Sequence, residues 1–149
     1  MKEEQNIVFE HAWKYFELHS QQRMTVFNFY IAVIGLLATG YGVCIQIGGG
    51  FIYLTPALGL FITFITFIFY KLDQRVSFLI KNSESVLKAF EQGLQKPDLK
   101  IFTRDDVVLL NKNIFSMWTY GKCFRITFYI LANIGIALTS IPFFILLFK

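Results

Sequence analysis

His11 and His19 are the two imidazoles of the chain. With Glu17 between them they are its best candidates for acid–base chemistry. On a helix they stand about 80° apart around the axis, near enough to approach one ligand. A metal needs more, and no second cluster of histidines and carboxylates completes a four-ligand set. No G-x-G-x-x-G, Walker loop, H-E-x-x-H or G-x-S-x-G occurs. A ribonuclease-like arginine-then-histidine order is missing, because both histidines precede every arginine. Cys44 and Cys123 lack C-x-x-C spacing and read as small apolar residues. No catalytic residue, metal site or cofactor is expected, and the protein is not expected to be an enzyme.

The more telling residues are polar ones set in apolar surroundings. One uncharged run carries Asn28, Gly35, Thr39, Gly40, Gly42 and Gln46, with Gly35/Thr39 and Ala38/Gly42 at four-residue spacing. Another carries Asn133, Ala137 and Ser140 on one helical face, with Gly135 and Thr139 beside it. Lipid offers such groups no hydrogen-bond partner. Two readings stand: close helix packing, or a hydrated path lined by Asn28, Thr39, Gln46, Asn133 or Ser140. A second constellation gathers His19, Gln21, Gln22 and Arg23 before one run, and Lys71, Asp73, Gln74 and Arg75 after the next. Arg23, Asp73 and Arg75 are either ordinary basic-side anchors or a ring of charge at a pore mouth.

These residues must be held by membrane helices. The chain is 55% apolar and only 16% charged over 149 residues, too few charges to cover a soluble surface. Crossing about 30 Å of hydrocarbon takes roughly 20 helical residues. Three uncharged stretches reach that length: Thr25–Ile47, Phe51–Tyr70 and Ile126–Phe148. The expected fold is an all-α membrane protein with three transmembrane helices, a two-span hairpin closed by Gly48-Gly49-Gly50 plus a third span. The first run starts after Glu3, Glu4, Glu10 and Glu17 and lacks a small-x-small cleavage site, so the N-terminus is expected to be kept.

Basic residues set the orientation. Residues 1–24 hold three, 71–125 hold ten, the glycine link none and the C-terminus one. The N-terminus and the long segment are expected in the cytoplasm, with the C-terminus outside, in a multi-pass protein of the cell inner membrane. Cys44 and Cys123 then lie on opposite sides of the bilayer and cannot pair within one chain. The expected divisions are 1–24, an amphipathic cytoplasmic helix; 25–70, the hairpin; 71–125, a cytoplasmic helical segment; and 126–149, the third span.

Within the first division Phe9, Trp13, Phe16 and Met24 keep helical spacing. That helix lies flat on the membrane or packs on the long segment; the pattern fits both. After the second span, Leu72, Val76, Leu79, Ser83, Val86, Phe90 and Leu94 continue a stripe that ends before Pro97. Thr103-Arg-Asp-Asp106 has the form of a helix start, for a helix from about Arg104 through Trp118. Gly121 is the expected bend, with Lys122 and Arg125 at the inner headgroups.

His11-Ala-Trp-Lys-Tyr-Phe-Glu-Leu-His19, Gln22-Arg-Met24, Phe27-Asn-Phe29 and Lys71-Leu-Asp-Gln-Arg75 resemble small bacterial membrane proteins. Their order over residues 5–95 is an aromatic cytoplasmic helix, a two-span hairpin and a cytoplasmic helix. It resembles the SLATT-type membrane effectors of bacterial anti-phage systems, and is similar to the membrane effector of the two-component Hailong system. The resemblance implies an oligomeric pore that damages the membrane on infection. It also implies a separate partner, a nucleotidyltransferase or other sensor, that holds the pore shut or opens it.

Three function classes follow. The first is a homo-oligomeric ion channel gated from the cytoplasm by a sensor protein or nucleotide signal. Three spans are too few for a path through one chain, and no charged residue within them supports coupled transport. The second is a non-conducting anchor or scaffold for a cytoplasmic partner. A lipid-modifying enzyme using His11 and His19 ranks last. The net charge of +4 fits anionic headgroups, and no nucleic-acid motif is present.

Overall fold

In a computed structural model of the chain the backbone is described for residues 2–109 and 118–147, and side chains for 3–96, 98–105 and 118–144. Four α-helices account for most of it: α1 (Lys2–Ile47), α2 (Thr55–Gln92), α3 (Ile101–Leu109) and α4 (Tyr120–Leu147). Short 3-10 turns occupy Gly49–Leu54 and Pro97–Leu99. Three of these helices, α1, α2 and α4, are long and apolar enough to cross a membrane. The fold is all-α, with three transmembrane helices.

The link between the first two spans is longer than its glycines imply. Gly48 and Gly49 take φ of 68° and 55°, the left-handed region open to glycine at little cost. The Gly48 amide closes α1 on the Cys44 carbonyl at 3.2 Å, as helix ends commonly do. The chain then winds through the 3-10 turn, and α2 starts at Thr55 rather than Phe51. The Thr55 hydroxyl donates to the Ile52 carbonyl at 2.6 Å, beside the bond that the Thr55 amide makes to the same oxygen.

Two compact units form. One comprises residues 25–73 and 123–149, the other 1–24 and 74–122. In the first, Tyr30, Ile34, Ile62, Phe124 and Phe128 make the buried cluster. Phe27 stacks on Phe124 with centroids 3.9 Å apart and planes 8° apart. The Tyr30 hydroxyl meets Thr66 Oγ1 at 3.1 Å, and the Tyr41 hydroxyl donates to the Leu138 carbonyl at 2.8 Å. Each phenol thus has a partner inside the protein, as a polar atom at bilayer depth requires.

Spans α2 and α4 cross at two glycines. Gly59-x-x-x-Thr63 on α2 faces Gly135-x-x-x-Thr139 on α4, and the match is reciprocal. A Cβ on Gly59 would lie 2.6 Å from Thr139 Oγ1, and one on Gly135 would lie 2.5 Å from Thr63 Oγ1. Both threonine hydroxyls donate back to the glycine carbonyl one turn earlier, at 3.1 and 2.9 Å. Small residues at four-residue spacing let two backbones approach, and the bonded hydroxyls leave no polar group exposed to lipid.

In the second unit the N-terminal part of α1 packs on the chain rather than standing alone. Phe9 meets Phe90 edge-on at 5.6 Å, and Phe16 meets Phe102 at 5.3 Å. Ala12 is buried. Of the two placements that the spacing allows, this is packing against the long segment. Each edge-on aromatic pair adds about 0.5–1.5 kcal/mol beyond its buried area.

Beyond residue 73 the buried line of α2 is Val76, Ile80, Ser83, Leu87 and Glu91. The expected stripe shares Val76 and Ser83 with it, whereas Leu72, Val86 and Leu94 are exposed. Adjacent apolar residues, Leu79 beside Ile80 and Val86 beside Leu87, leave the face open by one position, and its last member is a carboxylate that an apolar pattern passes over. The helix starts also differ from expectation. α3 begins at Ile101, so Thr103 lies in its first turn and is not its cap. α4 begins at Tyr120, with Thr119 Oγ1 accepting the Lys122 amide at 3.2 Å. That N-cap, not Gly121, marks the break, and Gly121 lies buried in the first turn. The part of the expected 104–118 helix at 110–117 lies outside the described residues.

Candidate functional site

α1 has three distinct sides within its span. At 100° per residue, Tyr30, Ile34, Leu37 and Tyr41 share one side within about 60° of arc. This side carries the packing and hydrogen bonds to α2 and α4. Diametrically opposite, Asn28, Ala32, Gly35, Thr39, Gly42 and Gln46 follow one another at alternating steps of four and three. Together they span about 80° of arc. All six are exposed. Gly35 and Gly42 have nothing within 4 Å of where a side chain would begin. Thr39 donates to the Gly35 carbonyl at 2.9 Å. The Asn28 and Gln46 amides make no hydrogen bond among the described residues. Between these two sides lie bulky apolar flanks, Phe29, Leu36 and Val43 on one and Ile31 and Ile45 on the other, all exposed.

Asn133 and Ser140 do not join this line. They lie on α4, on the side opposite its buried Phe124, Phe128 and Gly135. Asn133 Nδ2 donates to the Tyr129 carbonyl at 2.7 Å, and the Ser140 hydroxyl to the Ile136 carbonyl at 3.3 Å. Each donates to the helix that carries it, while Asn133 Oδ1 makes no hydrogen bond among the described residues. The five intramembrane candidates thus divide into three on one line of α1 and two on a separate face of α4. Only in the first group do whole side-chain amides, those of Asn28 and Gln46, make no hydrogen bond among the described residues.

Of the charged candidates, Asp73 is buried, Arg23 half-buried and Arg75 exposed. Arg23 and Arg75 belong to one compact unit and Asp73 to the other. The Arg75 guanidinium lies 5.9 Å over the Phe78 ring. Lys71 sits 5.7 Å from the Phe67 ring centre, and Lys122 sits 4.4 Å from that of Trp118. Cations held over aromatic faces at the end of an apolar run suit a headgroup layer.

His11 and His19 flank Tyr15 on α1, with ring centres 6.3 and 4.2 Å from it. His19 Nδ1 lies 3.0 Å from Gln22 Oε1, which makes the imidazole the donor. Among the described residues no group of three or more His, Cys, Asp or Glu side chains is placed to hold a metal. Cys44 and Cys123 are free thiols.

One polar constellation escaped the sequence reading. The carboxylate of Glu91, on the last turn of α2, is 7% exposed. It accepts the Phe102 and Thr103 amides at 2.9 Å each and the Thr103 hydroxyl at 2.8 Å. These amides belong to the first turn of α3, whose donors have no partner within the helix. A carboxylate is well suited to that positive end. Burial pushes the Glu91 carboxyl up, but the hydrogen bonds outweigh it and hold the pKa below its ordinary 4.5. The only signal in the sequence is a glutamate ten residues before a helix start, and a local pattern cannot join the two.

Residues 7–148 match a protein-family model described as the octameric membrane protein family (8xMP). The chain is 56% identical over 144 residues to CD-NTase-associated protein 19 of Escherichia coli. That alignment covers 96% of this chain and 95% of the relative. No solved structure matches.

Proposed function

The chain belongs to the octameric membrane protein family, and on that premise we propose that it is a homo-oligomeric membrane effector of bacterial anti-phage defence. It conducts ions across the inner membrane when opened from the cytoplasm. The observation that carries this reading is the line Asn28–Gln46, polar and small, exposed at bilayer depth, with two amides that make no hydrogen bond among the described residues. Lipid is a poor neighbour for it, so other copies or water must meet it. The expected resemblance to a defence effector is supported by a relative whose name ties it to a CD-NTase. The likeness to SLATT-type and Hailong effectors is one of architecture, and the family shown is the one given above.

The orientation follows the basic residues. Residues 1–24 and 74–122 lie in the cytoplasm, where ten basic residues fall between positions 71 and 125 and hold that side in place. A nucleotidyltransferase product or the nucleotidyltransferase itself is the signal. It acts by binding the open state better than the closed one, or by releasing a lock on the closed state. Because α2 is unbroken from Thr55 to Gln92, a turn applied beyond residue 73 is carried along the helix into the span. Asp73 and Arg75 stand at that boundary and Arg23 at the one between residues 24 and 25, where they would sense such a turn.

The test is ion flux through liposomes containing the purified protein, after its mass in detergent is measured. A defined oligomer that passes ions, alone or with a CD-NTase product added, is the expected result. An Asn28→Leu, Gln46→Leu double variant is expected to pass several-fold less current, because apolar rings favour dewetting. A monomer that passes no current under either condition would overturn the channel and leave a non-conducting anchor.

A further inference from the structure

The proposed function leaves open which helix lies at the centre of the assembly. We propose that copies of this chain meet along α1, with the flank Phe29, Leu36 and Val43 of one copy packed on the flank Ile31, Ala38 and Ile45 of the next. This interface turns the line between them, Asn28 to Gln46, towards the axis. The inference rests on the oligomeric reading above and assigns its central surface.

The sides of α1 are arranged for this. Its packed side faces α2 and α4, so the opposite side points out of the protomer. The two flanks lie between, where neighbours in a closed ring touch. They differ in bulk: phenylalanine, leucine and valine on one, and isoleucines around an alanine on the other. Unlike surfaces are what a cyclic assembly needs, because every contact in a ring of more than two is head-to-tail.

The other spans present the surfaces of lipid-facing helices. The outer side of α2 carries Leu60, Phe61, Phe64 and Phe67, all exposed and bulky. That of α4 carries Ile130, Ile136 and Phe144 around Asn133 and Ser140, each of which donates to its own helix. Only α1 presents a line of six residues without one large apolar side chain. On its outer side between Leu60 and Phe67 α2 offers no polar group, and α4 offers one unbonded acceptor, Asn133 Oδ1, between the levels at which Tyr30 meets Phe128 and Tyr41 meets Leu138. Neither helix therefore reaches both the Asn28 and the Gln46 amides of a neighbour. Water does.

The arithmetic of eight copies agrees. Eight helices about 9 Å apart, a usual packing distance, stand on a ring of radius about 12 Å. Side chains reach about 5–6 Å from each helix axis. The helices touch their neighbours but not one another across the centre, leaving an opening about 12 Å wide. Residues turned inward there meet solvent, and small ones keep it open.

Cross-linking distinguishes the arrangements. In a Cys44→Ala, Cys123→Ala background, Leu36→Cys with Ala38→Cys places thiols on the two flanks of α1. They lie two residues apart on opposite sides and cannot bond within one chain. Oxidation in membranes is expected to give a ladder extending to the full assembly, with none from either single variant. Ile134→Cys with Ile136→Cys on α4 is expected to give no ladder. In the same background a charged, water-soluble methanethiosulfonate should modify Thr39→Cys about a hundredfold faster than Asn133→Cys, since the reagent avoids lipid.

A ladder from the α4 pair and not the α1 pair, in particles of the native mass, would overturn the α1 axis and leave the channel reading standing. A protected Thr39→Cys thiol in such particles would also overturn it, because another helix then covers the line. A native chain that stays monomeric by mass would instead defeat the oligomeric reading itself. Native mass for each variant shows that the substitutions have not disrupted assembly.

Discussion

Gly59→Leu is expected to leave little of the three-helix membrane unit folded, the largest structural effect of any single substitution in the spans. The obstacle is backbone as well as side chain. A Cβ at position 59 would stand 2.7 Å from the Thr139 amide nitrogen and 3.0 Å from the Gly135 carbonyl oxygen, and neither can move without moving α4. Leucine adds three further carbons along that direction. Overpacking costs about 1–3 kcal/mol where side chains can adjust, and more where they cannot, so about 3 kcal/mol or more is expected. Alanine grades the effect. At Gly59 it already meets backbone and should cost roughly 1–2 kcal/mol. At Gly135 its nearest contact is the Thr63 hydroxyl, with backbone no closer than 3.1 Å. A rotated threonine relieves most of that, so Gly135→Ala should be the milder change. Unfolding by sodium dodecyl sulfate in mild detergent ranks the three. Native-like unfolding of Gly59→Leu would show that α2 and α4 part there without cost.

That contact also shows where sequence reading stops. Three long uncharged runs and the length rule give the spans directly, and all three are present as helices. A glycine four residues before a threonine signals close approach, but not which helix arrives. The sequence shows the pattern at Gly35/Thr39, where nothing lies within 4 Å of the glycine, and at Gly135 and Thr139 only beside a polar face. In the folded protomer the close crossing falls on Gly59/Thr63 and Gly135/Thr139 instead. The same local chemistry therefore serves two ends: two pairs are used inside the protomer, and the third is left facing outwards. Asn28, Thr39 and Gln46 were legible as polar groups in an apolar run. Their alignment on one unpartnered side became visible only once Tyr30, Ile34 and Tyr41 fixed the opposite side. Asn133 and Ser140 are equivalent to them in sequence, and differ from Asn28 and Gln46 in donating to a backbone carbonyl one turn earlier, as Thr39 also does.

Glu91→Ala is the corresponding test of the other unit. Removing the carboxylate strands two amides and a hydroxyl at the start of α3. Each buried donor without a partner costs about 1–3 kcal/mol, so a loss of about 3–5 kcal/mol is expected, enough to release α3 from α2. Glu91→Gln keeps an acceptor oxygen but not the charge, and should lose about half as much, since hydrogen bonds to charged groups are roughly twice as strong. Acid separates the charge from the geometry. The folded-state pKa lies below the ordinary 4.5, so the ionised form is favoured by folding. Its contribution is complete above the unfolded-state pKa and is lost as pH falls through the folded value. The stability gap between native protein and Glu91→Gln should therefore be constant from neutrality down to about pH 5 and narrow below that. Hydrogen exchange at the Phe102 and Thr103 amides reads it locally: slow in the native protein at neutral pH, faster in Glu91→Gln and fastest in Glu91→Ala. If the two amides exchange equally fast in all three proteins, Glu91 does not hold α3. If the gap instead widens in acid, the carboxyl is protonated in the folded state and the charge is not what secures the helix start.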